Sequence, residues 1–242
     1  MKKYEFTGEE KVVSGITLRR IRAVRRFTQA EAGEMGGWIQ KEENLSHDGN
    51  CWVGREAIVC NWARVTDDAL VSDHAQVYHS AKISGDSYVS DNAWIGGDAE
   101  VYGMARVGGD TVITDHAKVY ERADVTGHAL VRDSARVYGD ALVDDTTQVF
   151  HNALVHGDAK LYNIIVPFDT EIKSIRDYIV FKNFWSSGRF FTYFRSNGMW
   201  QVGCFWGTSE ELLEAAKEDG EVVYRGYKRA VDYVKSALAD EL

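Results

Sequence analysis

The sequence has one proline, four methionines and three cysteines in 242 residues. Cys51, Cys60 and Cys204 show no Cys-x-x-Cys spacing and are odd in number, which sets aside a disulfide framework or zinc ribbon and points to reduced thiols. No run of about 18 apolar residues occurs, so no membrane-spanning helix is expected. The opening MKKYEFTGEE lacks the apolar stretch that directs secretion, and the cytoplasm is the expected location. Net positive charge is also missing: the balance is −9, which argues against binding to duplex DNA. The acidity is local, with 17 Asp and Glu against 9 Lys and Arg in residues 51–162. Many of these acids are Asp beside Gly or Asn, so side chains bonded to local turn backbone are expected, not an acidic binding surface.

What the sequence does have is an aliphatic residue at every sixth position from Val53 to Leu161: Val53, Val59, Val65, Val71, Val77, Ile83, Val89, Ile95 and so on without a failure. Two residues before each stands a small one, Ala at fifteen of the nineteen positions and otherwise Cys51, Ser87, Thr111 or Thr147. A period of six with a small residue at the preceding bend predicts short strands turning by about 120°, three to a triangular coil of roughly eighteen residues. Coils stacked at about 4.8 Å bury each aliphatic against its counterpart in the next. Gly36-Gly37-Trp38-Ile39 and Leu45 extend the pattern upstream with a bulge near Asp48-Gly49, so the first coil is expected to begin at Ile39.

This pattern resembles the hexapeptide-repeat family. The resemblance implies a left-handed parallel β-helix, commonly assembled as a trimer. Residues 18–53, with GGWI and ENLSHDGNCWV, look like the start of bacterial hexapeptide transferases, and the whole chain is similar to phage and prophage proteins of unassigned function. The expected fold class is mainly β: a left-handed parallel β-helix at 51–162, an N-terminal β cap and first coil at 1–50, and a C-terminal α+β module at 163–242.

Before the coil, Tyr4-Glu5-Phe6-Thr7 and the run from Gly15 to Phe27 read as antiparallel strands capping its open apolar end. Five arginines between 19 and 26 suit either an anion site or a solvated strand face paired with Glu5, Glu9 and Glu10. Along the coil, the residues flanking each inward aliphatic point outward. One outer face carries Ile58, Cys60, Gln76, Tyr78, Trp94, Gly96, Val112, Thr114, Leu130, Arg132, Gln148 and Phe150, with Arg132 its single charge. A face this apolar needs a cover, either a partner subunit or the C-terminal segment, and a homotrimer through Ile58, Trp94, Val112, Leu130 and Phe150 is expected. A second face stacks Arg64, Lys82, Glu100, Lys118 and Arg136 beside Tyr102, Tyr120 and Tyr138. Such a stripe suits a nucleotide or other anion, or is simply a solvated β face.

Pro167 is expected to end the register and mark a boundary near 163–170. Beyond it, the runs 177–184, 189–194 and 199–206 read as a three-stranded meander with turns at Ser186-Ser187-Gly188 and Ser196-Asn197-Gly198. Thr208-Ser209-Glu210-Glu211 is a capping box opening a helix to about Lys217, and a second helix is expected from Tyr224 to Leu238 with Tyr227, Val231, Val234 and Leu238 on its apolar stripe. Most of the aromatics here should be core. The turn residues Trp185, Ser186, Ser187 and Arg189, and Arg195 with Asn197, suit a phosphate or nucleobase.

Catalysis needs placed acids, bases or ligands. His151-x4-His156-Gly157 resembles the ligand motif of γ-class carbonic anhydrases, but the position where that likeness places the remaining ligand is Tyr138, so no metal and no catalytic residue is assigned. The family's acyltransferases carry a catalytic His on a loop that interrupts the coil or beside a subunit interface, and here the register from Val53 to Leu161 has no insertion. The expectation is a non-enzymatic binding protein without cofactor, holding a phosphorylated small ligand or a host protein. The phage likeness suggests a host signalling nucleotide. The alternatives are an acyltransferase using acyl-CoA and a structural spacer.

Overall fold

The computed structural model describes residues 2–239. The six-residue period becomes a parallel solenoid of two- and three-residue strands lying in three sheets. One seven-stranded sheet runs from Trp52–Val53 to Lys160–Tyr162, a second from Arg64–Val65 to Glu171–Ile172, and a ten-stranded sheet carries the third face and the N-terminal strands. Pairing joins Val53 to Val71, Val89 to Val107 and Val137 to Val155, so each rung sits eighteen residues from the next. Successive coils are tied by backbone bonds such as Trp52 N–H to Ala69 C=O at 2.9 Å and Arg106 N–H to Ala123 C=O at 2.9 Å. The aliphatic column and the small-residue column are both sealed: Val101, Val119, Ala99 and Ala117 are all 0% exposed. Each buried valine contributes about 1.5–3 kcal/mol, and a larger residue in the alanine slot would overpack.

Every corner turns through a left-handed residue. From Arg55 to Asn163 each sixth residue has φ between 52° and 75°, a region where Gly, Asn and Asp are least strained. The corner acids reach beyond the local turn backbone where they were expected to bond. They reach the next coil: Asp67 accepts from Gly85 N–H at 3.0 Å, Asp91 from Gly109 N–H at 2.9 Å and Asp133 from His151 N–H at 2.9 Å. Corner chemistry therefore adds a ladder of its own along the solenoid axis.

At the N-terminal end Ile39 pairs with Val59 and Leu45 with Val65, so the first coil does begin at Ile39 and holds two extra residues before Cys51. A hairpin of Tyr4–Val13 and Ile16–Ala23 extends this sheet through Met35–Ile39 and closes the core with Tyr4, Ile21 and Trp52. The second strand stops at Ala23, short of Phe27. At the other end the solenoid passes Pro167. Ile165–Val166 pairs with Gln148–Val149 and Glu171–Ile172 with Leu154–Val155, offset by seventeen because one residue is missing after Leu161. Pro167 stands where earlier coils donate an N–H to the coil below, as Tyr138 does to Val155. The last coil has no coil below it, so the missing donor costs nothing there.

The C-terminal sheet has four strands, not three: Tyr178–Lys182, Phe190–Phe194, Met199–Val202 and Phe205–Gly207, consecutively antiparallel. The expected third strand folds back on itself at Gly203-Cys204, where Gly203 has φ 59° and Val202 pairs with Phe205. Helices Ser209–Glu218 and Glu221–Ala239 follow. The first opens with the expected capping box, Thr208 with Glu211. The stripe of Tyr227, Val231 and Val234 packs with Leu212 on Phe191 and Trp200, and Leu238 joins at the edge. No described helix is long and apolar enough to cross a membrane.

Candidate functional site

The five N-terminal arginines resolve largely into ion pairs: Arg19 with Glu10 at 3.1 Å, Arg20 with Glu56 at 2.8 Å, Arg26 with Glu31 at 3.2 Å, and Arg22 with Glu5. They decorate a strand and its flank. The apolar outer face is covered first by the hairpin, a cover the sequence had not suggested. Ile16 and Leu18 pack over Ile58, Cys60 and Trp38, with Tyr78 at the margin. A cleft of about 230 Å³ remains there between Val13, Tyr78 and Trp94. Farther down the face Val112, Leu130 and Phe150 are half-buried, and Arg132 lies over the Phe150 ring at 4.7 Å.

The second face does stack its tyrosines. Tyr102 and Tyr120 lie 4.9 Å apart, Tyr120 and Tyr138 4.8 Å, each pair within 3° of parallel. His156 continues the stack below Tyr138 and bonds Glu171 at 3.0 Å through Nε2. At these spacings no planar ligand fits between the rings. The adjoining basic column is partly neutralised, because Glu100 accepts from Lys82 at 3.0 Å and from Lys118 at 2.7 Å. These bonds, Lys118 first, hold the Glu100 carboxyl below its ordinary value. Arg136 stays exposed with no ion pair among the described residues.

His151 lies at the corner before the strand Leu154–Val155 and His156 directly after that strand, ahead of the corner at Gly157. His151 stacks on Phe168 and pairs with Asp133 at 3.3 Å, whereas His156 faces Tyr138 and Glu171. His116 and His128 are exposed at corners, each beside an Asp one coil earlier, Asp98 at 3.4 Å and Asp110 at 3.2 Å. Among the described residues no group of three or more His, Cys, Asp and Glu is placed to hold a metal ion.

The C-terminal turn residues divide. Arg195 and Asn197 lie at one end of the strand Phe190–Phe194 and Trp185 to Arg189 at the other, so they do not share a site. Asn197 is used in fastening the module to the solenoid, donating to Thr170 Oγ1 at 3.1 Å, while Ser196 Oγ accepts from Glu171 N–H at 3.3 Å. Trp185 is packing, not platform: it meets Phe191 and Tyr227 edge-on and fills the notch left by Gly226.

Ser186, Ser187 and Arg189 do come together, on the rim of a cleft of about 310 Å³ walled by Phe190, Phe205, Leu212 and Ala216. Arg189 also lines a second cleft of about 380 Å³ between the module and Gln148, Asn163 and Ile165 of the solenoid. It has no ion pair among the described residues, and Asp219 sits on the first cleft's rim. The floor holds Asn183, which donates through Nδ2 to the Tyr227 hydroxyl at 2.6 Å. Burial, and secondarily Asp219, pushes the Tyr227 phenol up, so it stays protonated at neutral pH. Neither floor residue was marked by the sequence. Asn183 stood inside an apolar run and Tyr227 on a helix stripe, and only the tertiary fold joins them across forty-four positions.

No protein-family model matches the chain. Over 99 residues it is 27% identical to a protein of Escherichia coli (strain K12) named as an uncharacterized acetyltransferase, YdcK. That stretch covers 38% of this chain and 29% of the other protein, so the chain spans less than a third of the relative it matches. The distant similarity and the parallel solenoid together fit a hexapeptide-repeat β-helix.

Proposed function

We propose that this protein is a non-enzymatic binding scaffold, in which the solenoid displays the C-terminal module and the module holds a phosphorylated small ligand. One observation carries the reading: the exposed Arg189 guanidinium, without an ion pair among the described residues, stands where the module's two clefts meet and shares a rim with the Ser186 and Ser187 hydroxyls. A planar donor fork flanked by small hydroxyls suits phosphate oxygens. The coil supports this from the other side, since its register from Val53 to Leu161 has no insertion on which to build a reacting centre. A phage-encoded protein of this kind would sequester a signalling nucleotide of its host. Thermal shifts against nucleoside mono- and triphosphates and sugar phosphates test it. At least one should raise the melting temperature, and Arg189→Ala should abolish the rise. No shift with any phosphorylated compound would sink the reading.

The similarity to the protein named as an acetyltransferase favours a second reading, an acyltransferase using acyl-CoA. Its site would fall at a seam between copies, where a corner histidine held by an aspartate, such as His128 with Asp110, would act as base. Calorimetry with acetyl-CoA separates the two readings. Heat of binding followed by acetyl transfer to an amine or hydroxyl acceptor would replace the first reading with this one.

A further inference from the structure

The floor of the 310 Å³ cleft contains an incompletely bonded amide. Asn183 is 2% exposed, and its Oδ1 has no hydrogen-bond partner among the described residues. Its Nδ2 is committed to Tyr227, whose own hydroxyl hydrogen has no acceptor there. As assigned, one end of the amide is bonded and the other has no partner among the described residues. Folds tolerate such groups rarely, and a buried acceptor without a donor commonly marks a place that something else completes. The walls supply apolar and aromatic surface, Phe190 and Phe205, around few polar groups, which is the composition of a small-molecule site.

We propose that Asn183 and Tyr227 bind the hydrogen-bonding edge of a nucleobase, with Phe190 or Phe205 against its ring and Arg189 on the phosphate of the same nucleotide. A base edge offers a donor and an acceptor side by side, which matches an amide oxygen next to a phenol O–H. Asn183 lines the cleft but its Oδ1 is closed off from solvent, so the base reaches it by shifting the exposed turn of Ser186, Ser187 and Gly188. This inference rests on the anion-binding reading of Arg189 and adds the class of ligand.

The test is calorimetry on the full chain with the four common ribonucleoside monophosphates, their nucleosides and ribose 5-phosphate. One nucleotide should bind, its nucleoside more weakly, and ribose 5-phosphate more weakly than the nucleotide. Tyr227→Phe keeps the ring and its packing, and should weaken nucleotide and nucleoside alike by roughly tenfold, the effect of one lost hydrogen bond. Arg189→Ala should weaken the nucleotide and leave the nucleoside unchanged. If ribose 5-phosphate binds as well as any nucleotide, or if Tyr227→Phe lowers the melting temperature without touching affinity, the pair is a structural pin and the inference falls while the anion site stands. If no phosphorylated probe binds, both fall.

Discussion

Tyr138 lies flat on His156, ring centroids 4.6 Å apart and planes 1° from parallel, at the lower end of a four-ring stack that begins at Tyr102. The rings take the solenoid's own strand spacing, so the stack follows from a tyrosine recurring every eighteenth residue. Tyr120 touches a ring above and a ring below, whereas Tyr102 touches one. An aromatic pair is worth about 0.5–1.5 kcal/mol beyond its area. Tyr120→Ala is expected to cost about 1–2 kcal/mol in urea denaturation and Tyr102→Ala about half of that. Equal losses at the two positions would assign the tyrosines' contribution to strand preference and not to stacking.

Glu100, between Lys82 and Lys118, gives the solenoid a pH-dependent element. Its pKa is depressed in the fold, chiefly by the Lys118 and Lys82 hydrogen bonds. A depressed carboxylate stabilises above its unfolded value and loses that contribution as pH falls through the folded one. Its side chain is 25% exposed, so solvent screening keeps the three-charge cluster at about 0.5–1 kcal/mol. Glu100→Gln should therefore be less stable than the native chain by that amount at neutral pH. The two chains should converge as pH falls through the depressed folded value of Glu100. A gap that persists in acid would mean the loss is one of packing.

The period of six made the solenoid, its rung spacing and its first coil at Ile39 legible, because an inward side chain that recurs at fixed intervals has one way to stay buried. The end of the coil was not. A single proline reads as a stop, yet Pro167 breaks nothing in a coil with no successor, and the register slip after Leu161 hid Val166 and Ile172 as rungs. The candidate site was half legible. Arg189 and its serines stood out as turn residues, but Trp185 looked the same in sequence and went inward, since nothing local records that a helical glycine waits opposite. Arg195 and Asn197 were grouped with them by chemistry, although the five-residue strand between the two turns puts them at opposite ends.

The left-handed corners predict an unusual ranking at Gly109, where φ is 65° and an added Cβ would lie 2.4 Å from the Gly127 carbonyl oxygen. Gly109→Ala combines that contact with left-handed strain and should cost more than about 1 kcal/mol. Aspartate meets the same contact but is better suited to this backbone, and can accept from the next coil as Asp91 accepts from Gly109 itself. Gly109→Asp should therefore be the milder change, although it is larger and adds a charge. Thermal melts of the two variants decide it. Alanine proving milder would mean that the corner ladder contributes little.

Gly226 sits inside the helix Glu221–Ala239, where helix propensity alone favours alanine by about 0.8–1.0 kcal/mol. Against this, a Cβ there would lie 2.3 Å from Trp185 Cε2 and 2.4 Å from Cδ2. The indole cannot simply withdraw, because Phe191 and Tyr227 meet it edge-on from the module's core. Overpacking of a closed site costs about 1–3 kcal/mol, so the packing loss exceeds the propensity gain. Gly226→Ala should lower the melting temperature and perturb tryptophan fluorescence. In a Trp185→Ala background, which removes the clashing ring, Gly226→Ala should cost less than it does in the native chain. A stabilised single variant would mean that Trp185 has room to move, and with it the turn that carries Ser186 to Arg189.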